Sequence, residues 1–385
     1  MAAARIAVVA GTRPEGIKLA PVVQALRRRR GVETLLVSTG QHREMLQQAL
    51  AAFALHPDVD LDVMRAGQGL HDVTVATLAR LGPILRELRP AWVVVQGDTT
   101  TAMAAALAAF YERLPVAHVE AGLRTNDRYS PFPEELNRRI VDQLSNALFA
   151  PTAHAREALL REGFPDGRIL VTGNTVVDAI HHLRASGATR GRAAGGLDLD
   201  AIPGRILLVT SHRRESFGAG LAAICRAVAR VVERHPDVTA VYPVHLNPNV
   251  QGPVRAALGG HPRIVLLPPV GYVDLAALLE RAYLVLTDSG GIQEEAPSFG
   301  KPVLVLREVT ERPEGVAAGV AAVVGTGEEG IVAETSRLLS DAAAYERMAT
   351  GRNPYGDGRA SERIADALLE PRPAFDAGDG AARQG

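Results

Sequence analysis

The chain has 385 residues, of which 47% are hydrophobic and 22% charged, with a formal net charge of -1 and a single cysteine. That length leaves room for two or three domains with sizeable cores. The composition excludes a disordered chain, the near-neutral balance excludes a global field that would draw in nucleic acid or an anionic membrane, and one thiol excludes a disulfide framework or a multi-cysteine metal site.

The N-terminus "MAAARIAVVAGTRPEG" has an apolar stretch too short for a secretory signal and runs straight into a polar loop. It reads as a first strand, which implies a cytoplasmic protein, and no apolar run reaches membrane-span length. Further short β-rich runs follow: "TLLVST" (34–39), "WVVVQG" (92–97), "VAHVEA" (116–121), "ALFAPT" (147–152) and "ILVTG" (169–173). A second series comprises "ILLVTS" (206–211), "VTAVYPV" (238–244), "RIVLLPP" (263–269), "LVLTD" (284–288), "PVLVL" (302–306) and "AAVVG" (321–325). Helix-length amphipathic or Ala-rich stretches separate them, and Cys225 in "LAAICRAVARVV" reads as a small buried side chain. Continuous apolar strands alternating with helices imply parallel sheets covered on both faces. The fold class is therefore α/β with two doubly wound, Rossmann-like domains, whose ligands would collect at the carboxyl ends of the strands and could share one interdomain cleft. The expected boundaries are 1–175 for the first domain, 176–205 for a Gly-, Ala- and Arg-rich linker, and 206–355 for the second domain. The segment 371–385 lacks periodicity and reads as a disordered tail.

The strand-to-helix loops carry the chemistry. "GTRPEGIK" places Arg13 and Lys18 beside a helix opened by Pro14, which suits a phosphate or simply a solvated first turn. It misses the nucleotide-triphosphate loop, which needs Lys-Ser/Thr directly after the second glycine. The Arg27–Arg30 run reads as a solvated helix end favoured by the macrodipole. Asp98, in "QGDTTTAM", is either an ordinary cap or one of three acids at neighbouring strand ends, with Glu120 and Glu134. "SHRRESFG" crowds His212, Arg213 and Arg214 into one loop, and "YPVHLNPNV" adds His245 at another strand end. His181 and His182 lack metal-ligand spacing. "VGTGEEGIV" matches Gly-x-Gly-x-x-Gly, but its paired glutamates and late position favour a surface turn over a nicotinamide site.

"TDSGGIQEEAPSFGKPV" (287–303) combines Ser289, Gly290 and Gly291, at the start of a helix that would cradle phosphate, with Glu294 and Glu295 one turn further in. Successive helix residues point about 100° apart, so the two glutamates cannot face the same ligand. A nucleoside diphosphate reconciles them, its phosphate on the helix start and its ribose diol on one carboxylate.

Together "GTRPEGIKLAPVV", "TGQHREML", "GDTTTAMAAALAAFY", "HVEAGLRTNDRYSPFPEELNR", "GNTVVDAI", "SHRRESFG", "YPVHLNPNV", "LTDSGGIQEEAPSFGKPVLVLREVTERPEG" and "NPYGDGRASERI" closely resemble the non-hydrolysing UDP-N-acetylglucosamine 2-epimerase family, from about residue 5 to 368. The resemblance implies a glycosyltransferase-B-like fold whose last helix, within 356–370, returns to the first domain. It implies reversible interconversion of UDP-GlcNAc and UDP-ManNAc, through elimination of UDP to a 2-acetamidoglucal and its re-addition, feeding surface polysaccharide synthesis. By resemblance, Asp98, Glu120, Glu134 and His212 are the catalytic residues. Arg13, Lys18, Ser289, Gly290, Gly291, Glu295 and Arg312 bind the substrate, with neither metal nor cofactor. Gln41, His42, Arg213 and His245 match positions that hold a second, activating UDP-GlcNAc in bacterial members. Glu44 and Gly67 stand where some members carry glutamine and arginine, and Val270 and Leu275 replace the Gln and Phe of some uracil sites. Relatives are homodimers. A glycosyltransferase of the same architecture and a hydrolysing epimerase that releases ManNAc remain alternatives.

Overall fold

Two parallel sheets, each flanked by helices, organise the computed structural model, which describes residues 4–41, 43–65, 67–191, 193–213, 216–370 and 375. The chain divides into one unit of Met1–His182 with Gly356–Gly385 and a second of Leu183–Tyr355. The division falls inside a helix, and the 176–205 segment expected as a linker carries ordered elements on both sides of it.

In the first unit the strands are β1 (Ala4–Ala10), β2 (Val32–Ser38), β3 (Val59–Asp60), β4 (Trp92–Gln96), β5 (Val116–Val119), β6 (Ala147–Ala150) and β7 (Ile169–Val171). They pair in parallel in the order β3-β2-β1-β4-β5-β6-β7. The helices are α1 (Arg13–Arg27), α2 (Arg43–Ala51), α3 (Leu70–Leu88), α4 (Thr100–Tyr111), α5 (Glu134–Leu144), α6 (Ala153–Arg161) and α7 (Thr175–Ala185). The strands are mostly apolar because they are buried in the middle of the unit: Ala7, Val9, Val93 and Val95 pack against Ala105, Ala109 and Val141. The strand order reverses between β1 and β4, which makes their carboxyl ends the place where a doubly wound sheet opens a crevice.

The second unit repeats the plan. A small antiparallel hairpin, β8 (Ala193–Ala194) with β9 (Leu197–Asp198), precedes β10 (Arg205–Thr210), β11 (Val238–Pro243), β12 (Ile264–Leu267), β13 (Ala282–Thr287), β14 (Val303–Val305) and β15 (Ala321–Val323). The parallel order is β12-β11-β10-β13-β14-β15, with its reversal between β10 and β13. Here α8 (Ala219–Arg234), α9 (Pro248–Leu258), α10 (Tyr272–Arg281), α11 (Gly290–Glu295), α12 (Pro313–Ala317), α13 (Glu328–Ser340) and α14 (Ala342–Ala349) supply the helices. Cys225 is buried on α8 among Val228, Tyr242 and Leu286, and burial pushes its thiol up to about 11. The glutamates of "VGTGEEGIV" belong to the scaffold: Glu328 pairs with Arg226 and Arg230, each at 2.6 Å.

The last helix, α15 (Ala360–Leu369), belongs to the first unit. Buried Asp178 on α7 accepts from the amides of Ala360, 3.1 Å away, and Ser361, 2.7 Å away, so it caps a helix distant in sequence. Arg28 and Arg29 pair with Glu362 at 2.5 and 2.7 Å, and Arg29 with Asp366 at 2.6 Å. The arginine run expected to face solvent therefore docks α15. Of the segment 371–385 only Phe375 is described; it is buried, edge-on to Trp92 and Phe149. Among the described residues no helix is long and apolar enough to cross a membrane.

Candidate active site

The described candidate residues lie in the loops and first two helical turns that follow strands, and most lie at the two points where strand order reverses. At the first, between β1 and α1, Glu15 is fully buried and turned back on its own loop. Its carboxylate accepts from the amides of Gly11 at 2.9 Å and Thr12 at 2.6 Å, and from the Thr99 hydroxyl at 2.7 Å. Burial raises its pKa, and those hydrogen bonds pull it back down only in part. Two amides of this loop, those of Gly11 and Thr12, are thus occupied by a side chain. What the loop offers a ligand is charge: half-buried Arg13, and Lys18 one turn along.

Lys18 meets the acids directly. Its ammonium lies 2.6 Å from Glu120, whose other carboxylate oxygen accepts from Gln96. Glu120 itself has φ +71, a left-handed conformation that costs a non-glycine residue roughly 1–3 kcal/mol and persists only where its surroundings impose it. The amides of Glu120 and Ala121 both donate to the Phe149 carbonyl, at 3.0 and 3.1 Å, which ends β5 and turns the chain at this residue. Asp98, directly after β4 and Gly97, keeps 27% side-chain exposure and is held at 2.6 Å by Arg138 on α5. The Asn137 amide donates to the Asp98 carbonyl at 2.9 Å. Glu134 opens α5 and is half-buried. Its neighbour Glu135 is scaffold, fully buried, accepting from the Thr125 amide at 3.0 Å and paired with Arg139 and Arg138 at 3.0 and 3.2 Å. Burial opposes its ionisation, but that amide and the two guanidiniums outweigh it and hold the carboxyl below its ordinary value.

In the second unit, fully buried Asp288 ends β13 and closes the loop after β10. One of its oxygens accepts from the Ser211 hydroxyl at 2.9 Å and from the amides of His212 and Arg213 at 2.8 and 2.9 Å. The other lies 3.4 Å from Nδ1 of His212. The His212 ring, 41% exposed, stacks on His245 at 5.4 Å. Partial loss of hydration lowers the His212 pKa, with His245 and Arg213 adding to the effect against the pull of Asp288.

On α11 the Ser289 amide donates to the Thr287 hydroxyl at 2.9 Å, so the loop itself takes up one of the three amides expected to meet a phosphate. Gly290 and Gly291 form the first helical positions, whose amides have no intrahelical acceptor. A Cβ at Gly290 would stand 3.7 Å from the Arg312 guanidinium and 3.9 Å from that of Arg213, so two cations converge on this end. The two glutamates separate as their helical spacing requires. Glu294 is paired with Arg312 at 2.5 Å, whereas a Glu295 oxygen lies 3.9 Å from where a Cβ at Gly291 would be. Burial and the charge of Glu295 push the Tyr272 phenol well above its ordinary value.

Gln41 accepts from the Thr101 hydroxyl at the start of α4, and His245 accepts from the Asn247 amide at 3.1 Å. His42 lies outside the described residues, as do Arg214 and Glu215. Val270 and Leu275, at the departures from the uracil site, pack against the core of the second unit. Sequence reasoning missed the groups that aim the site rather than line it: Glu15, Gln96, Arg138 and Asp288. For Glu15 and Asp288 the sequence carried a signal, a carboxylate within five residues of a continuous apolar strand and beside amides that need an acceptor.

Residues 24–369 match the family model for UDP-N-acetylglucosamine 2-epimerase. A UDP-N-acetylglucosamine 2-epimerase of Yersinia pestis is 51% identical over 94% of this chain and 98% of its own length. That of Escherichia coli K12 is 50% identical over 96% and 99%. A crystal structure of the Neisseria meningitidis enzyme bound to UDP-GlcNAc superposes with a TM-score of 0.86 at 41% identity, covering 95% of this chain and 100% of that one. With sheets, strand order and strand-end loops in place, the chain belongs to the UDP-N-acetylglucosamine 2-epimerase family.

Proposed function

We propose that the protein interconverts UDP-GlcNAc and UDP-ManNAc reversibly, without releasing free sugar. The observation that carries the reading is the pairing of Lys18 with Glu120 in the same unit as Asp98, since binding a nucleotide alone requires no such acids. The meningococcal relative bound to UDP-GlcNAc supports the choice of ligand. A family-typical cytoplasmic homodimer serving surface polysaccharide synthesis fits the same reading.

The C2 hydrogen of the sugar has no adjacent carbonyl, so removing it alone is unfavourable. Loss of UDP from C1 changes this. As the C1–O bond to the diphosphate breaks, a carboxylate takes the C2 proton and the electrons of the C2–H bond form a C1=C2 double bond, giving a 2-acetamidoglucal. Protonation of C2 on the opposite face and return of UDP to C1 complete the inversion. Asp98, Glu120 and Glu134 serve proton removal and return and stabilise the positive charge that develops on the sugar ring. Negative charge growing on the departing diphosphate is met by Arg13, Lys18, His212 and the amides of Gly290 and Gly291, with the Ser289 hydroxyl beside them. Glu295 holds the ribose diol, and Arg312 steers the diphosphate while keeping Glu294 away from it. Gln41, His42, Arg213 and His245 would contact a second, activating UDP-GlcNAc.

Following either sugar nucleotide by proton NMR tests the reading. The same mixture should be reached from both sides, without accumulation of UDP. Accumulating UDP and free ManNAc would instead identify a hydrolysing enzyme, and consumption that requires an added acceptor would identify a glycosyltransferase.

A further inference from the structure

The first unit buries another set of titratable groups that the chemistry above does not use. His118 lies on β5, two residues before Glu120, with its side chain wholly out of solvent. Its Nδ1 is 2.6 Å from Oδ1 of Asp142, which is equally buried on α5. Its Nε2 is 2.8 Å from the carbonyl oxygen of Gly97, the residue before Asp98. The second Asp142 oxygen lies 2.7 Å from the Arg124 guanidinium, and Arg124 is held in turn by Glu162 at 2.7 Å. These are the charged groups facing the ring: Asp142 from α5, Arg124 from the loop after β5, and Glu162 behind it at the end of α6.

Counting donors fixes the state of the ring. A carbonyl oxygen only accepts, and a carboxylate that lies 2.7 Å from a guanidinium is an acceptor as well. A neutral imidazole carries one N–H and would press a lone pair against one of its two acceptors, a cost that a site without water cannot relieve. Both ring nitrogens must therefore donate.

We propose that His118 is held as an imidazolium and acts as a positioning residue, pinning the Gly97 carbonyl so that Asp98 stands where the proton is transferred. Three clamps on Asp98 then trace to one helix. Arg138 and Asn137 of α5 hold its carboxylate and its carbonyl, and Asp142, one turn beyond Arg138, holds it through His118 and the preceding peptide. Gly97 has φ +70, so the peptide being pinned is the one that turns the chain out of β4. The inference deepens the epimerase reading and rests on it where it gives Asp98 a part in the chemistry.

The test uses two neutral replacements that differ in reach. In His118→Gln the amide nitrogen replaces Nε2 and keeps the donor to Gly97, whereas in His118→Asn it replaces Nδ1 and loses that donor. A displacement of about 1 Å at a reacting group costs on the order of a hundredfold. Turnover of UDP-GlcNAc should therefore fall about a hundredfold in His118→Asn and be largely rescued in His118→Gln, with KM and UDP affinity nearly unchanged in both. Equal losses in the two variants, tracking their thermal stability, would overturn the proposal. Nitrogen-15 NMR of the wild-type protein keeps the question open to refutation even if neither variant folds. The ring of His118 should show protons on both nitrogens at pH 8, and a neutral single-proton tautomer would overturn the proposal. If wild-type protein fails to epimerise while the ring is doubly protonated, the epimerase reading falls and the imidazolium assignment stands.

Discussion

The two units solve one scaffolding problem in the same way and then diverge in charge. In each, a buried carboxylate at the reversal of strand order ties together the two loops that flank it. Glu15 takes two amides of the β1 loop and the Thr99 hydroxyl of the β4 loop. Asp288, at the end of β13, takes two amides and the Ser211 hydroxyl of the β10 loop. Beyond that shared device, the first unit sets acids at its strand ends, Glu120 paired with Lys18 and Asp98 with Arg138, whereas the second brings Arg213 and Arg312 toward the start of α11. A repeated fold thus carries unlike side chains because its loops differ; on the proposed reading, the acids that move the proton all stand in the first unit.

Mutations should separate the two. The largest effect is expected from Asp98→Asn, with turnover down by a factor on the order of 10²–10⁴, typical for loss of a general acid or base, and UDP affinity by calorimetry almost unchanged. Equal loss of binding and rate would erase the distinction between the units. Next comes Arg312→Lys, which keeps the charge but loses the planar fork. UDP affinity should weaken about tenfold, the equivalent of roughly 1.4 kcal/mol, while turnover at saturating substrate holds up better.

Smaller still is a proton. His212 has a lowered pKa in the free protein and is neutral near pH 7. A bound diphosphate would raise that pKa, so UDP binding at pH 7 should take up a fraction of a proton, measurable by calorimetry in buffers of different ionisation enthalpy and absent in His212→Asn. The same depression costs stability as pH falls through the ordinary histidine value of about 6.5, because the unfolded chain then binds the proton first.

The scaffold is read in stability rather than in activity. Asp178→Ala removes a buried acceptor from two amides and should cost about 1–3 kcal/mol in denaturant melts. Arg28→Ala loses an exposed ion pair and should cost about 0.2–1 kcal/mol. A reversed order would mean that α15 is docked by its surface charges rather than by its cap.

Periodicity made the two sheets legible, because strands covered on both faces read as unbroken apolar runs. It did not reveal β3 or the β8–β9 hairpin, whose two-residue strands are too short to show a period. Arg28 and Arg29 looked like a solvated helix end because their partners, Glu362 and Asp366, lie more than 330 positions away. The separation of Glu294 from Glu295 followed from helical geometry. The Ser289 amide could not be read in the same way, since whether a loop donor meets a ligand or a neighbouring hydroxyl depends on local torsions that residue types do not fix. Glu15 stands in a first helical turn, where an acid is ordinary; its turning back onto the Gly11 and Thr12 amides depends on the fold of the loop and not on residue type.

Deuterium incorporation tests the chemistry most directly. UDP-GlcNAc incubated with the protein in heavy water should acquire deuterium at C2 of both the remaining substrate and the UDP-ManNAc formed, because the carbon acid is broken and remade in each passage through the glucal. Epimerised product that retains its original C2 hydrogen, or folded protein that binds UDP and exchanges nothing, would contradict proton transfer by these acids.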